Sequence, residues 1–189
     1  MTAFSPLTGR LLVAMPGIDD DRFRHAVILI CAHDDEHAMG LRLDQPAPGV
    51  SLSEVLKKLD TPGSDAMQDR SVLIGGPVER ERGFVLHTDD WASEDSTLTF
   101  GDGLAMTGTR EALTAMTDAE DGPRQSILLL GYAGWGEGQL EEELGENVWL
   151  TADADPELIF DADYQTKWSR ALAGLGVDAA RLSAQSGRA

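Results

Sequence analysis

Cys31, His33 and His37 crowd one short stretch, ICAHDDEH, of a chain that has a single cysteine and four histidines. Thiolate and imidazole are ligands that zinc prefers, and a hairpin closed at Asp34-Asp35-Glu36 would bring the three together. A structural zinc site needs four closed ligands, and no second cysteine exists to complete one. No metal site is therefore expected. The same residues offer a nucleophile and a base, Cys31 with His33 or His87. A catalytic thiol needs access and a depressed pKa. Ile30 and Ala32 flank Cys31 and predict burial instead, so Cys31 is retained only as a candidate reactive thiol. His87 follows Phe84-Val85-Leu86 and reads as a satisfied histidine at a strand end. No G-x-S-x-G elbow is present. No catalytic residue is assigned, and no cofactor is expected.

The segment Gly131-Tyr132-Ala133-Gly134-Trp135-Gly136-Glu137-Gly138-Gln139-Leu140 holds four glycines around a Tyr and a Trp. Glycine is needed where backbone bends sharply or lets another group come close. A glycine-rich turn entering a helix can cradle a phosphate. Here the spacing is not that of a P-loop, no cation is near in sequence, and Glu141, Glu142 and Glu143 would oppose an anion at the helix start. The plain reading is a tight turn making room for the Trp135 ring. The functional one is a small neutral or aromatic ligand stacked on Trp135, with Gln139 as polar anchor. Gly75-Gly76-Pro77 is a second glycine turn after a strand. Two such turns can converge at one sheet end, so the candidate binding residues are Gly75, Gly76, Pro77, His87, Gly134, Trp135, Gly136 and Gln139.

The elements that must position these residues are short. Strands are predicted at Arg10–Met15, Ala26–His33 and His37–Asp44, the last two forming a hairpin. Asp19-Asp20-Asp21 would cap a turn of helix through Arg24. Pro46-Ala47-Pro48-Gly49 reads as a break, followed by a helix capped by Ser51 or Ser53 and running to about Leu59. Further strands are expected at Ser71–Ile74, Gly83–Thr88, Thr97–Phe100, Leu104–Thr107 and Ser126–Leu130. Gly75–Val78 reads as a tight turn, and Asp102-Gly103 as a hairpin turn. Helices are expected from Thr109 to about Ala119, over Gln139–Leu144, after Asp155-Pro156, and over Tyr164–Gly174 with Tyr164, Trp168, Leu172 and Leu175 on one stripe. Strands and helices mix without strict βαβ alternation, so the class is α+β, a mixed or antiparallel sheet with several short helices. The length of 189 residues suits one domain, with a core over about 9–177 and a flexible tail at 178–189.

Thirty-three acids face fifteen bases, for a net charge of −18. From Gln125 to Thr166 there is no Lys or Arg, while Glu137, Glu141, Glu142, Glu143, Glu146, Asp153, Asp155, Glu157, Asp161 and Asp163 all fall there. Such a charge repels phosphate backbones and anionic lipid, so direct nucleic-acid binding is disfavoured. One cysteine permits no internal disulfide, which fits a reducing compartment. The run Leu11–Met15 is too short for a signal peptide or a membrane span. A cytoplasmic protein, monomer or homodimer, is expected.

Several stretches in order, LLVAMPGIDDDRF, AVILICAHDDEHAMGLRLDQP, IGGPVERERGFVLH, LLLGYAGWGEGQLEEEL, NVWLTADADPELIFD and Trp168, resemble the YqgE/AlgH family of bacterial proteins. The resemblance runs from about Leu11 to Val177. It implies a compact α+β fold containing β-sheets. Some members are labelled transcriptional regulators through a link to alginate production, and the resemblance implies a fold more than a reaction. One segment departs from the pattern. Where relatives carry an aliphatic pair and then Asn-Arg-Pro, this chain has Arg42-Leu43-Asp44-Gln45-Pro46, so an anion held by that loop in relatives should be held poorly here. The function expected is that of a non-enzymatic regulatory protein binding a small ligand or a protein partner. The alternatives are an enzyme using Cys31 or a histidine, and a regulator acting directly on DNA, which the charge opposes.

Overall fold

Aliphatic and β-branched runs pair into strands, and short polar segments between them turn the chain. The computed structural model describes residues 6–18, 20–67 and 70–178. The first strands are β1 (Leu11–Ala14), β2 (Val27–His33), β3 (Ala38–Arg42) and β4 (Pro46–Ser51), and helix α1 (Leu52–Lys58) follows. Next come β5 (Ser71–Ile74), β6 (Val78–Thr88), β7 (Thr97–Gly101), β8 (Leu104–Thr107) and α2 (Arg110–Met116). The chain continues with β9 (Ser126–Trp135), α3 (Gln139–Gly145), β10 (Trp149–Ala152), α4 (Pro156–Phe160) and α5 (Lys167–Gly174). The fold is α+β, with a mainly antiparallel sheet and short helices. The residues group into two compact units, one within Met1–Asp44 and Gly134–Ala189, the other Gln45–Ala133. The proposed tail falls almost wholly on residues 179–189, which lie outside the described residues.

In the first unit the strand order is β10-β1-β2-β3, antiparallel throughout. All four residues of β1 and Val27–Cys31 of β2 are buried, as expected of strands whose residues do not alternate with polar ones. The β2–β3 hairpin shifts register between Ile30 and Ala32, so a bulge falls at Cys31. Helix α5 packs against β1 and β2. The segment after Asp20 is a run of turns, not helix, and Asp19 lies outside the described residues.

In the second unit the order is β4-β5-β9-β6-β8-β7, with β5 and β9 parallel and the other pairs antiparallel. Its core joins Leu52 and Leu56 of α1 to Ala112, Leu113 and Met116 of α2 over Val72, Val85 and Leu128 of the sheet. Each fully buried aliphatic side chain here stabilises by about 1.5–3 kcal/mol. Ser51 starts α1 with a capping box. Its hydroxyl accepts from the Glu54 N–H at 3.3 Å, and its own N–H donates to the Glu54 carboxylate at 3.3 Å. The β7–β8 turn has Asp102 at φ 56 and Gly103 at φ 78, the two positive values that an Asp-Gly hairpin turn supplies.

Five further expectations are corrected. Pro46-Ala47-Pro48-Gly49 does not break the chain but starts β4. That strand is irregular, bridging β5 only at Pro46 and Ser51, and an edge strand tolerates prolines because no partner needs their N–H. The glycine-rich segment is not a turn from Gly131; β9 runs on through Trp135, and the chain turns only at Glu137-Gly138. Gly131 (φ 75) and Gly76 serve a close backbone approach. A Cβ on Gly131 would stand 2.6 Å from the Gly76 carbonyl oxygen, and one on Gly76 would stand 2.0 Å from the Tyr132 carbonyl carbon. Strand β6 begins at Val78, not Gly83, with a register shift between the two. Finally, α2 stops at Met116, and Tyr164–Gly174 divides into a 3-10 turn at Tyr164–Thr166 and α5.

Candidate functional site

Trp135, Gly136 and Gln139 meet in the first unit. Trp135 is buried, and its indole N–H donates to the Glu143 carboxylate at 2.9 Å. The same carboxylate oxygen accepts the Trp149 indole N–H at 2.7 Å, and the other accepts the Gln139 amide at 3.1 Å. The Gln139 carbonyl in turn accepts the Gly136 N–H at 3.1 Å. Glu143 thus ties two strands to α3. Gly40 leaves room on the far side, since a Cβ there would stand 3.3 Å from the Trp135 ring. Trp135 therefore offers neither an open ring face nor a spare N–H, and Gln139 is engaged. Gly134 and Gly136 are exposed.

Gly75, Gly76, Pro77 and His87 lie in the second unit. Gly75 and Gly76 are buried against β9, with the Gly75 N–H on the Leu130 carbonyl at 2.8 Å, and Pro77 is exposed. Gly76 precedes the first residue of β6, and His87 is its last but one. Val78 pairs with Tyr132 and His87 with Ser126, six positions apart along β9, so roughly 20 Å of strand separates them and they do not line one pocket. The His87 imidazole is buried in a one-way chain of hydrogen bonds. Nδ1 lies 2.8 Å from the Thr88 carbonyl, an acceptor, so Nδ1 carries the proton. Nε2 then accepts from the Thr107 hydroxyl at 2.8 Å, Thr107 accepts from Thr97 at 2.7 Å, and Thr97 accepts from the Ser93 N–H at 2.8 Å. Burial holds the His87 pKa below its ordinary value, although its bond to the Thr88 carbonyl and nearby Asp90 and Asp89 pull the other way. The imidazole is neutral and internally satisfied.

Cys31 is buried, and burial raises its thiol well above the ordinary range. Such a thiol is not a nucleophile near neutral pH. His33 accepts the Leu7 N–H on Nδ1 at 3.0 Å, so Nε2 carries the proton and donates to Glu141 at 2.6 Å. His37 pairs with Asp34 at 3.0 Å. Among the described residues no three His, Cys, Asp or Glu side chains gather as a metal site would need. The departure at Arg42–Pro46 is an ion pair. Arg42 donates to both Asp44 carboxylate oxygens, at 2.9 and 3.0 Å, and to the Arg22 and Arg24 carbonyls. Its guanidinium is already neutralised.

An opening that suits a small molecule lies in the second unit, away from any glycine turn. A cleft of about 350 Å³ runs between α1 and α2. Val55 and Leu59 form one wall, Leu113 the other, and Gly83, Val85, Leu128 and Leu130 the floor. Val55, Leu59 and Leu130 are only half-buried, so the core is open to solvent here. The floor is low because Gly83 has no side chain. A Cβ there would stand 3.4 Å from Leu128 and 3.9 Å from Leu130, ordinary contact distances. Lys58, Arg110 and Glu81 line the rim, and the Arg110 guanidinium donates to the Leu59 carbonyl across the mouth. Sequence reasoning missed this site because aliphatic residues at helical spacing read as plain core. The usable signal was Gly83, a glycine leading into the apolar run Phe84-Val85-Leu86. Among the described residues no helix is long and apolar enough to cross a membrane.

The model of the AlgH-like family matches residues 11–180. The chain is similar to a UPF0301 protein of Caulobacter vibrioides, 57% identical over 183 residues, covering 97% of this chain and 94% of that one. It is also similar to a UPF0301 protein of Ruegeria pomeroyi, 48% identical over 184 residues, with 97% and 99% covered. Among solved structures, the AlgH protein from Pseudomonas aeruginosa aligns with a TM-score of 0.78 at 41% identity, covering 100% of this chain and 99% of that one. A Corynebacterium diphtheriae protein aligns with a TM-score of 0.74 at 22% identity, which speaks to the fold alone.

Proposed function

The chain belongs to the AlgH-like family, and from that premise we propose that it is a non-catalytic protein that binds a small apolar molecule in the cleft between α1 and α2. The observation that carries this is the cleft itself. Half-buried Val55, Leu59 and Leu130 leave the second unit's core uncovered at one place, and the volume falls within the range of small-molecule pockets. The titratable groups that sequence offered for chemistry point the same way. Cys31 is buried with a raised pKa, and His87 is locked neutral among threonines. A general base has to reach a substrate proton, and a nucleophile has to reach solvent.

The test uses Nile red, an uncharged apolar fluorophore, titrated into the full chain. Saturable one-site binding is expected, with amide shifts in a two-dimensional NMR spectrum confined to Val55, Leu59, Gly83, Leu113 and their neighbours. Gly83→Val should fill the floor and abolish binding, because its Cβ meets only ordinary contacts and valine suits a strand. Absence of saturable binding, or shifts that map elsewhere, overturns the proposal.

A further inference from the structure

We propose that the ligand of this cleft is a small apolar carboxylate, its chain lying on Val55, Leu59, Leu113, Leu128 and Leu130 and its head group held by Lys58 and Arg110. This rests on the reading of the cleft as a binding site and goes further by fixing the ligand's charge.

The rim is unusual for this chain. Acids outnumber bases by 33 to 15, yet the groups at the cleft mouth are two cations, Lys58 and Arg110, and one acid, Glu81. The Lys58 side chain takes no part in an ion pair or hydrogen bond among the described residues. The neighbouring Lys57 is the one that pairs, with Asp65 at 3.2 Å. Arg110 spends one donor on the carbonyl of Leu59, the C-cap residue of α1. A guanidinium has five N–H donors, so that bond holds one of them at the mouth and leaves others for a second acceptor. A carboxylate there would accept from a planar fork, the geometry in which arginine binds it best. Lys58 is in the last turn of α1 and Arg110 opens α2, so the two cations come from the two walls. An apolar chain between the walls with its acid group at the rim would meet both. Glu81 opposes an anion, and the same geometry with Glu81 dominant would select an amine.

Three probes of equal chain length separate these cases: octanoate, 1-octanol and octylamine, titrated calorimetrically into the full chain at low salt. Octanoate is expected to bind about tenfold or more tightly than octanol, the difference a charge-assisted hydrogen bond makes, and octylamine weakest. Lys58→Gln and Arg110→Gln should each erase most of octanoate's advantage and leave octanol unchanged. Melting curves check that both variants fold. Equal affinity for octanoate and octanol overturns the carboxylate assignment while leaving an apolar binding site. Octylamine binding tightest overturns it in favour of Glu81. No binding by any probe, together with none by Nile red, overturns the site as well.

Discussion

At the scale of single residues, Lys167 couples stability to pH. Its side chain is fully buried, with Nζ 2.5 Å from the Ile159 carbonyl and 5.0 Å from the Tyr164 ring centre. Burial lowers its pKa from the ordinary 10.5 to about 8, against the pull of Asp161 and Asp44. Below pH 8 folded and unfolded chains both hold this proton. Between about pH 8 and 10.5 the unfolded chain holds more of it, so folding stability contributed by this group rises with pH. The full gain is bounded at roughly 3 kcal/mol, the shift times 1.36 kcal/mol per unit. Cys31 acts in the opposite sense in alkali, because the unfolded thiol ionises first and stability falls. Denaturant melts of wild type and Lys167→Met at pH 7 and pH 10 separate the two. Wild type should gain on the variant by about 1–3 kcal/mol at the higher pH, and a constant difference would refute the buried-lysine account. Lys167 was legible in part. It sits at i+3 from Tyr164 and i−4 from Ala171, beside the stripe of Tyr164, Trp168, Leu172 and Leu175 in the predicted helix. What the stripe does not reveal is the Ile159 carbonyl that receives the ammonium, because that contact depends on how α4 ends.

At the scale of elements, the contact between β9 and the segment leading into β6 depends on two glycines. A methyl on Gly76 would stand 2.0 Å from the Tyr132 carbonyl carbon and 2.3 Å from the Ala133 nitrogen, both backbone atoms. Backbone in a paired strand cannot step aside as a side chain can. Gly76→Ala should therefore destabilise by about 1–3 kcal/mol or more, the range for overpacking. Gly83→Ala, with its Cβ at ordinary contact distance, should change little. Equal effects in chemical denaturation would mean that strand entropy, and not close approach, governs both sites. The helices and most strands were legible because local signals fixed them: Ser51 with Glu54 for α1, Asp155 before Pro156 for α4, Asp102-Gly103 for the β7–β8 turn. The misread segments are those where a non-local partner overrides a local signal. Glycines at 131–134 read as a turn because their reason, the Gly76 backbone, is far away in sequence. Prolines at 46 and 48 read as a break because an edge strand that tolerates them cannot be recognised before its neighbours are known. The candidate site was the least legible in the sequence. Trp135 and Gln139 both bond to Glu143, and the cleft lies where half-buried aliphatics face Gly83.

For the whole molecule the governing quantity is charge. Ion pairs such as Arg10–Asp153, Arg22–Asp20, Arg24–Asp21 and Arg170–Asp161 are exposed. Pairs of that kind contribute about 0–1 kcal/mol each. They use bases that are already outnumbered, since 33 acids less 15 bases leaves a net charge of −18. Repulsion among those acids opposes the folded state, because folding brings them nearer than the unfolded chain does. Salt weakens both effects, but the net negative charge exceeds what the exposed pairs offset, and the screening length shrinks from about 30 Å at 0.01 M to about 3 Å at 1 M. Melting temperature should therefore rise by several degrees from low salt to about 0.5 M sodium chloride, the shift that ~1–2 kcal/mol produces in a chain of this size. Octanoate affinity at the Lys58–Arg110 rim should fall over the same range, since there the attraction itself is screened. Opposite salt dependences of stability and of binding distinguish a local cationic rim within an acidic protein from a chain whose charges are evenly balanced. If melting temperature were flat while affinity fell, the acids would be far enough apart to leave folding unaffected, and only the rim would remain electrostatically special.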